Sequence, residues 1–280
     1  MTKITVICGP TASGKTAAAV KMALEADGEV ISADSMQIYR GMDIGTAKAT
    51  KDEMQGVPHH LIDIISPDEA YNVALFAGQA AVLIDEITAR GKLPIICGGT
   101  GFYVNALLFG TEFGGGSDRD EALRAELSRR TPTDLHVMLA KVDPSSAANI
   151  PMGNVKRVIR ALEYFRIHGK TISAHNAAQR QGRALAYDAQ ITIMESDRAQ
   201  LYERINSRVD DMLAAGLVEE VDGLMKAGYS ADLTSMQGIG YKEIAKYLQG
   251  EYSLAAAAEA VKQATRRFAK RQVTWFKHQM

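Results

Sequence analysis

The segment GPTASGKT, residues 9–16, constrains the fold of this chain more than any other stretch. It fits the phosphate-loop pattern G-x-x-x-x-G-K-[ST], and it stands between an apolar run, KITVIC, and an alanine-rich run, TAAAVKMALEA. The first run is typical of a buried strand and the second of a helix, so the loop would present backbone N–H groups and a helix N-terminus to an anion. The predicted phosphate-binding residues are Gly9, Pro10, Thr11, Ala12, Ser13, Gly14, Lys15 and Thr16.

Two side chains at the end of this loop indicate what else it binds. Lys15 would supply a cation to the anion, and a hydroxyl at the position of Thr16 commonly ligates Mg²⁺. The sequence therefore predicts Mg²⁺ as a cofactor, with Thr16 as its protein ligand. The pattern leaves open whose phosphate is bound, since a kinase, a molecular switch and a transferase that uses another diphosphate all need such a loop.

Strand-like and helix-like runs alternate in the first part of the chain. KITVIC, GEVISAD, LIDII and LPIIC predict strands, and NVALFAGQAAVLIDEITARG predicts a helix that ends at Gly91. Strands that alternate with helices favour a parallel sheet covered on both faces. The predicted fold class is therefore α/β, with a P-loop NTPase-like parallel sheet flanked by helices.

The pattern changes after a hinge-like stretch, TEFGGGSDRD. From about Arg119 to Gly169 only helical segments follow, with Pro132 at a helix start and Gly169 at a helix end. A polar stretch comes next, and ITIME then returns to strand character. We therefore predict an α/β core at residues 1–112 and 191–280, which ends in a long helix, and an inserted all-helical subdomain at residues 113–190.

Composition limits the class of protein. Apolar residues make up 46% of the chain and the formal net charge is -1, so a sizeable core is possible and any attraction for nucleic acid would have to be local. Cys8 and Cys97 each close an apolar run, which predicts buried thiols and no disulfide. With no leader pattern and no apolar run near the roughly 20 residues that span a bilayer, we expect a cytoplasmic protein without a membrane partner. We also expect a monomer.

A nucleotide hydrolase also needs an acidic residue at the end of a neighbouring strand. AVLIDE resembles such a segment, but its apolar residues recur at helical spacing, which predicts a helix. The predicted strand LPIIC is followed by GGTG and not by an acid. VISAD is the one predicted strand that clearly ends in Asp, and this residue, Asp34, would lie near the phosphate loop. Asp34 could hold a metal, accept a proton or cap a turn. This pattern disfavours an ATP hydrolase and leaves a small-molecule kinase open.

Further positions stay open on residue patterns alone. Thr100 lies in GGTGFY, where the glycines suit either a ligand or a tight turn. The adjacent His59 and His60 would point to different faces, so we expect structural roles rather than a shared metal ion. In the predicted helix 197–215, Arg208 lies off the apolar stripe, and periodicity alone predicts a solvated surface arginine.

Basic residues concentrate in two places. After Glu259 the chain has no acid, and the basic residues that follow are Lys262, Arg266, Arg267, Lys270, Arg271 and Lys277. VKRVIR provides a second basic run in the predicted insertion. Each run would suit RNA phosphates, although a solvated helix face gives the same pattern.

Seven stretches together resemble one family. GPTASGKT, ISADSMQIYRGMDIGTAK, PHHLIDI, GGTGFY, ERINSRVDDML, GIGYKE and RRFAKRQVTWF occur in the order seen in tRNA dimethylallyltransferases, also called tRNA isopentenyltransferases. The resemblance runs from about Ile4 to Phe276, which is nearly the whole chain. It implies transfer of the dimethylallyl group from dimethylallyl diphosphate to the exocyclic amine of the adenosine just 3′ of the anticodon. It also implies a helical insertion that grips the tRNA anticodon stem-loop.

The resemblance further implies roles for named residues. Asp34 would be the general base, Arg208 a diphosphate clamp and Thr100 a contact near the target adenosine. The implied RNA-binding residues are Asp34, Ser35, Met36, Gln37, Thr100, Arg124, Lys156, Arg157, Val158, Ile159, Arg160, Gln237, Gly238, Ile239, Gly240, Tyr241 and Lys242.

Three alternatives remain at this point. An enzyme that prenylates free adenine nucleotide would share the core chemistry but would not need the insertion or the basic runs. A small-molecule kinase would hold ATP in the loop. An RNA-binding nucleotide switch would transfer no group at all.

Overall fold

The computed structural model describes residues 1–110, 120–180 and 184–280. They form two compact units, one of residues 1–110 with 185–280 and one within residues 111–184. The first unit includes residues 185–190, which the sequence assigns to the insertion, because Leu185 and Tyr187 pack on its core and a strand begins at Asp188. Of the hinge-like stretch at residues 111–120, all but Asp120 lies outside the described residues.

A parallel five-stranded sheet organises the first unit, with the order β3-β2-β4-β1-β5. β1 lies between β4 and β5, with Ile7 opposite Cys97 and Lys3 opposite Asp188. The strands are β1 Lys3–Cys8, β2 Gly28–Ser32, β3 His59–His60, β4 Leu93–Gly98 and β5 Asp188–Ile193. The predicted α/β class is therefore confirmed.

Helices cover both faces of this sheet. Ala19, Val20 and Ala23 pack against one face, and Phe76, Ala80 and Ile84 pack against the other. The helices are α1 Lys15–Ala26, α2 Lys51–Met54, α3 Val73–Ala89, α4 Gly101–Leu108, α5 Glu121–Ser128, α6 Pro132–Val142, α7 Pro144–Asn149, α8 Val155–His168, α9 Ile172–Arg180, α10 Arg198–Ala214, α11 Leu217–Lys226, α12 Tyr241–Leu248 and α13 Leu254–Gln279.

The strand predicted at LIDII is wrong. Leu61 and Asp63 adopt positive φ angles of 59° and 56°, which an extended strand cannot accommodate. The strand β3 precedes them instead and consists of His59 and His60. The Nε2 atom of His60 lies 2.7 Å from Oε2 of the buried Glu29, which is the structural role expected for this residue.

Other local predictions are confirmed. AVLIDE lies within α3, where Ile84 and Ile87 are completely buried, so it supplies no acid to a strand end. Cys8 and Cys97 are buried free thiols, and burial raises the pKa of Cys97 to about 12. The helix predicted at residues 197–215 is α10, and Asp197 caps it by accepting hydrogen bonds from the N–H groups of Ala199 and Gln200.

The second unit is helical, as predicted, and α5–α9 lie in it. Its core contains the completely buried Leu135, Leu139 and Val158. Helix α9 occupies a stretch whose polar composition predicts no regular element. Ser173 in its first turn donates hydrogen bonds to the buried Asp143, which also caps α7, so tertiary contacts stabilise a helix that periodicity does not reveal.

Within residues 1–110, 120–180 and 184–280, no helix combines the length and the apolar composition needed to cross a membrane.

Candidate active site

The main candidate site is a cavity of about 410 Å³ at the carboxyl edge of the sheet. Its residues follow the ends of β1, β2 and β4, which is where parallel α/β sheets bind ligands. Helices α10 and α13 and the loop before α12 complete the walls. The predicted site residues in its lining are Thr11, Lys15, Thr16, Asp34, Ser35, Met36, Gln37, Thr100, Arg208, Gln237, Gly238, Ile239, Gly240 and Tyr241.

The phosphate loop has a geometry suited to an anion. Ala12 and Gly14 adopt positive φ angles of 60° and 84°, which turn the backbone sharply before α1 begins at Lys15. The Nζ atom of Lys15 donates to the carbonyl oxygen of Pro10 at 2.6 Å. The Ser13 hydroxyl is buried and has no hydrogen-bond partner in the part of the chain that the structure describes. A buried hydroxyl without a partner in this loop indicates a place prepared for a polar ligand.

Burial is the main influence on the pKa of Lys15. It lowers the pKa of the ammonium group, while the nearby Cys97 and Asp34 act in the opposite direction. No carboxylate of the described residues pairs with Lys15, so a bound phosphate would supply the missing negative charge.

Asp34 follows β2 and combines two of the roles left open by the sequence. Its Oδ1 atom accepts a hydrogen bond from the N–H of Met36 at 2.8 Å, which closes a turn. The same residue lines the cavity. Burial raises the pKa of its carboxyl group, and the hydrogen bond from Met36 and the charge of Lys15 oppose this only in part. Asp34 is therefore a stronger base than an ordinary aspartate.

Thr100 connects the end of β4 to the turn that carries Asp34. Its Oγ1 atom accepts a hydrogen bond from the N–H of Ser35 at 3.1 Å. The two strand ends approach closely, because a Cβ atom at Gly98 would lie 2.2 Å from the carbonyl oxygen of Ala33. Thr100 and Asp34 thus belong to one local structure, which explains why both are in the cavity lining.

Arg208 differs from the expectation based on helix periodicity. It is half-buried in α10 and lines the cavity, and a second, smaller opening next to it also contains Lys15 and Thr16. Burial lowers the pKa of its guanidinium group, and Glu53 acts in the opposite direction. Over the described ranges, the guanidinium has no hydrogen bond or ion pair, so it can bind an anion.

Several implied RNA contacts in the first unit have structural partners. The Gln37 amide contacts the Ser32 hydroxyl and the carbonyl oxygen of Ala47 at 3.1 and 3.2 Å. Tyr241 is completely buried, and its hydroxyl donates to Oε1 of Glu220 at 2.6 Å. Lys242, by contrast, is half-exposed, with its Nζ atom 3.5 Å from Oε1 of Glu243.

Tyr241 has a structural role. The Glu220 carboxylate that it contacts also accepts hydrogen bonds from the N–H groups of Asp43, Ile44 and Gly45. Tyr241 therefore supports the turn at residues 43–45, next to the cavity-lining Thr46 and Ala47.

The implied RNA contacts in the second unit also include both buried and exposed residues. Val158 and Ile159 are buried in the core of that unit, and Arg124 makes a bidentate ion pair with Glu163 at 2.7 Å. The prediction that Val158 and Ile159 contact RNA conflicts with this burial. Lys156, Arg157 and Arg160 are exposed, and Arg160 also contacts Glu163 at 3.2 Å.

The basic run on α13 is partly neutralised. Lys262 pairs with Asp210 at 2.6 Å, and Arg266 contacts Glu259 and Asn206. On α13, the exposed cations without an ion pair to the described residues are Arg267, Lys270, Arg271 and Lys277.

Gln272 is a further residue of the site, which the motifs above do not indicate. It is buried, and it contacts both the phosphate loop and the turn after β4. It has a recognisable signal, since the buried residues Ala269, Gln272 and Phe276 recur at helical spacing. A polar residue in the apolar stripe of a helix needs a hydrogen-bond partner, which makes it a candidate for a specific role.

Comparisons with known proteins agree with this arrangement. A family model described as IPP transferase matches residues 37–279. The chain is 50% identical to a tRNA dimethylallyltransferase of Exiguobacterium sp. over 99% of this chain and 88% of that protein. A solved tRNA isopentenylpyrophosphate transferase of Staphylococcus epidermidis is 44% identical, with a TM-score of 0.73, over 100% of this chain and 91% of that one. A eukaryotic dimethylallyltransferase acting on tRNA is 31% identical, with a TM-score of 0.85, over 99% and 70%.

Proposed function

The chain belongs to the IPP transferase family, and on that premise we propose that it transfers the dimethylallyl group of dimethylallyl diphosphate to the exocyclic N6 amine of an adenosine in tRNA. Diphosphate is the other product, and the target is the adenosine immediately 3′ of the anticodon. One observation carries this proposal: a single cavity contains two cations without ion-pair partners in the described chain, Lys15 and Arg208, and a carboxylate of raised pKa, Asp34.

The donor half of the site binds the leaving group. The C–O bond of an allylic diphosphate breaks readily, because the carbon tolerates cationic character while the diphosphate gains negative charge. Lys15, the loop N–H groups and Arg208 face that growing charge. Stabilisation of this kind is strongest in the transition state, and the loss of one such donor typically costs about 3 kcal/mol of barrier.

The same half suits Mg²⁺. The Thr16 hydroxyl lines the cavity beside Lys15 and makes no side-chain hydrogen bond within the described residues. No cluster of three or more His, Cys, Asp or Glu side chains in the described chain could hold a metal ion by itself. Mg²⁺ commonly takes few protein ligands and completes its shell with phosphate oxygens and water, which fits a single hydroxyl next to a diphosphate. When bound, it would neutralise part of the diphosphate charge.

The acceptor half binds the nucleophile. The adenine amine becomes acidic as its nitrogen bonds to the allylic carbon, and Asp34 accepts the proton late in the step. Thr100 fixes the turn that carries Asp34. Ile205, Val209 and Phe268 give the cavity an apolar wall that suits the isoprenoid. Because the target base must leave its stack to enter such a cavity, an anticodon loop is a more suitable substrate than a duplex.

Contacts with the tRNA backbone come from exposed cations. Lys156 and Arg157 in the second unit and Arg267 and Lys270 on α13 are exposed and carry no ion pair in the described chain. The presence of the helical unit favours tRNA over free adenine nucleotide as the acceptor. We expect the enzyme to act as a monomer.

The test offers labelled dimethylallyl diphosphate with tRNA, with AMP or with no acceptor, and follows the label into nucleic acid. We expect labelled tRNA only, together with diphosphate. Labelled AMP would support the nucleotide prenyltransferase instead. ATP consumption with a phosphorylated product, and no prenyl transfer, would support a kinase, and ATP binding without any transfer would support a nucleotide switch.

A further inference from the structure

Gln272 is a buried polar residue that the mechanism above does not use. It lies on α13, it is 7% exposed, and it is part of the RQVTWF stretch. Its neighbours in the buried stripe, Ala269 and Phe276, are apolar and anchor the helix. A buried carboxamide in such a stripe is costly unless both of its ends are hydrogen-bonded.

Both ends of this carboxamide are hydrogen-bonded to backbone. Oε1 accepts from the N–H of Thr11 at 2.9 Å, and Nε2 donates to the carbonyl oxygen of Gly99 at 2.9 Å. These two partners require one acceptor and one donor on the same planar group, which glutamine offers and an ionised glutamate does not. The fit is close, because a Cβ atom at Gly99 would lie 2.4 Å from Nε2.

The two partners belong to opposite halves of the site. Thr11 is in the phosphate loop, which holds the leaving group. Gly99 precedes Thr100, whose Oγ1 atom accepts from the N–H of Ser35, next to Asp34. One side chain therefore connects the backbone that holds the diphosphate to the backbone that places the base.

A second contact from α13 fixes the same turn. The Trp275 ring packs against Gly101, where a Cβ atom would lie 2.2 Å from the ring. Gln272 and Trp275 are one helical turn apart, so α13 holds the segment at residues 99–101 at two points. The turn cannot shift toward or away from the phosphate loop without breaking one of them.

We propose that Gln272 is a positioning residue for prenyl transfer, which sets the distance between the bound diphosphate and the Asp34 base by joining Thr11 to Gly99. This inference rests on the proposed function. It requires that the loss of the bridge slows the chemical step more than it weakens tRNA binding, since the base and the leaving group would no longer be held in register.

The main variant is Gln272→Met, which keeps the length of the side chain and loses both hydrogen bonds. We expect kcat to fall by about 100-fold, since a displacement near 1 Å can cost that much, with a higher KM for dimethylallyl diphosphate and an unchanged Kd for tRNA. The matched control is Gln263→Met on the exposed face of the same helix, which should leave every constant unchanged.

A second variant tests for a pH dependence of activity that a purely structural role would not produce. Gln272→Glu loses the donor to Gly99 when the new carboxyl is ionised, and it regains one donor and one acceptor when the carboxyl is protonated. Its activity relative to the unmodified enzyme should therefore rise as the pH falls toward the range where a buried glutamate protonates. Lys15, Asp34, Arg208 and Arg271 also line the cavity, but they are present in both enzymes, so the ratio removes their titration.

The outcomes separate the inference from the proposed function. If the unmodified enzyme transfers no prenyl group to tRNA, the proposed function fails. If it does, and Gln272→Met only lowers the melting temperature while kcat and both KM values stay unchanged, the positioning role is wrong. Should Gln272→Met not fold, the Gln272→Glu ratio decides: a rise at low pH supports the role, and a flat ratio contradicts it.

Discussion

Two carboxylates, the buried Glu163 in the helical unit and the half-buried Asp34 in the sheet unit, have pKa values that are shifted in opposite directions. Burial pushes the pKa of Glu163 up, but hydrogen bonds from Arg124, from the Asp120 N–H and from Arg160 outweigh it, and the net pKa is lowered. Burial also pushes the pKa of Asp34 up, and there the net result is a raised pKa, because a backbone N–H and the charge of Lys15 oppose it only in part.

The difference distinguishes a structural charge from a functional one. Glu163 has cationic partners in its own unit, so it stabilises the fold. Asp34, Lys15 and Arg208 line a cavity without a direct ion pair in the described residues, so they await a ligand. A protein accepts such unpaired charge at a cost in stability where it uses the charge for chemistry.

The largest expected effect comes from Asp34→Asn. This variant keeps an oxygen that accepts from the Met36 N–H and removes the base, so the turn should survive while transfer falls by about 1,000-fold. Steady-state transfer and tRNA binding measure the two properties. Asp34→Ala should also bind tRNA and lose transfer. Normal transfer by either variant would show that Asp34 has a structural role and is not the base.

The raised pKa of Asp34 adds a pH dependence to this contrast. The base works only when ionised, and its proton is lost at a higher pH than the ordinary value of about 3.9. The acid limb of kcat should therefore lie above that value, and it should be absent from the residual activity of Asp34→Asn. If the acid limb persists unchanged in the variant, a group other than Asp34 is responsible for it.

Arg208→Gln tests the second unpaired charge. We expect a loss of about 100-fold in kcat/KM, since the guanidinium faces the departing diphosphate. Arg204→Gln is the matched control one turn earlier on α10, because Arg204 is exposed and donates a hydrogen bond to the Gln200 carbonyl oxygen. Equal losses in the two variants would show that α10 charge acts at long range rather than at the site.

Glu163→Gln tests the structural side of the comparison. Removing one partner of a buried ion pair should lower the free energy of unfolding by about 3 kcal/mol, whereas Glu126→Gln, at an exposed pair with Arg130, should change it by less than about 1 kcal/mol. Urea unfolding followed by circular dichroism measures both.

The pH dependence of that difference follows from the sign of the shift. The folded-state pKa of Glu163 is lowered, so its stabilisation is complete above the unfolded value of about 4.3 and is lost as the pH falls through the folded value. The gap between the unmodified protein and Glu163→Gln should therefore close in acid. A gap that is constant with pH would remove the ion pair as its cause.

The smallest expected effect concerns exposed cations. Lys270 has no ion pair in the described residues, whereas Lys262 pairs with Asp210. Lys270→Gln should weaken tRNA binding a few-fold and reduce the slope of log K against log salt by about 1. Lys262→Gln should change neither, as measured by filter binding at several salt concentrations. A flat salt dependence of the unmodified enzyme would contradict the proposed backbone contacts.

Local patterns predicted the fold and half of the site. The loop at residues 9–16 and the strand that ends before Asp34 each follow from a short stretch, because strand ends and loop chemistry are local properties. The carboxyl-edge rule for parallel sheets then placed Asp34 beside Lys15 without any knowledge of long-range contacts.

The remainder depends on contacts between distant segments. Helix periodicity predicts an exposed Arg208, because the sequence of a single helix does not show that its polar face lines a cavity. Gln272 lies 261 residues from Thr11, its partner. The resemblance implies RNA contacts at Val158 and Ile159, but both residues lie in the core of the second unit, and their burial depends on packing that a contiguous run of sequence does not show.

The pairing of β1 with β5 has a consequence for how this enzyme is made. Asp188 leaves the ribosome roughly 10–40 s after its partner Lys3, at the usual pace of 5–20 residues per second. The edge of β1 that awaits it stays open during that interval, and α13 emerges later still. The nascent chain should consequently gain the ability to bind prenyl diphosphate tightly only after α13 has been synthesised.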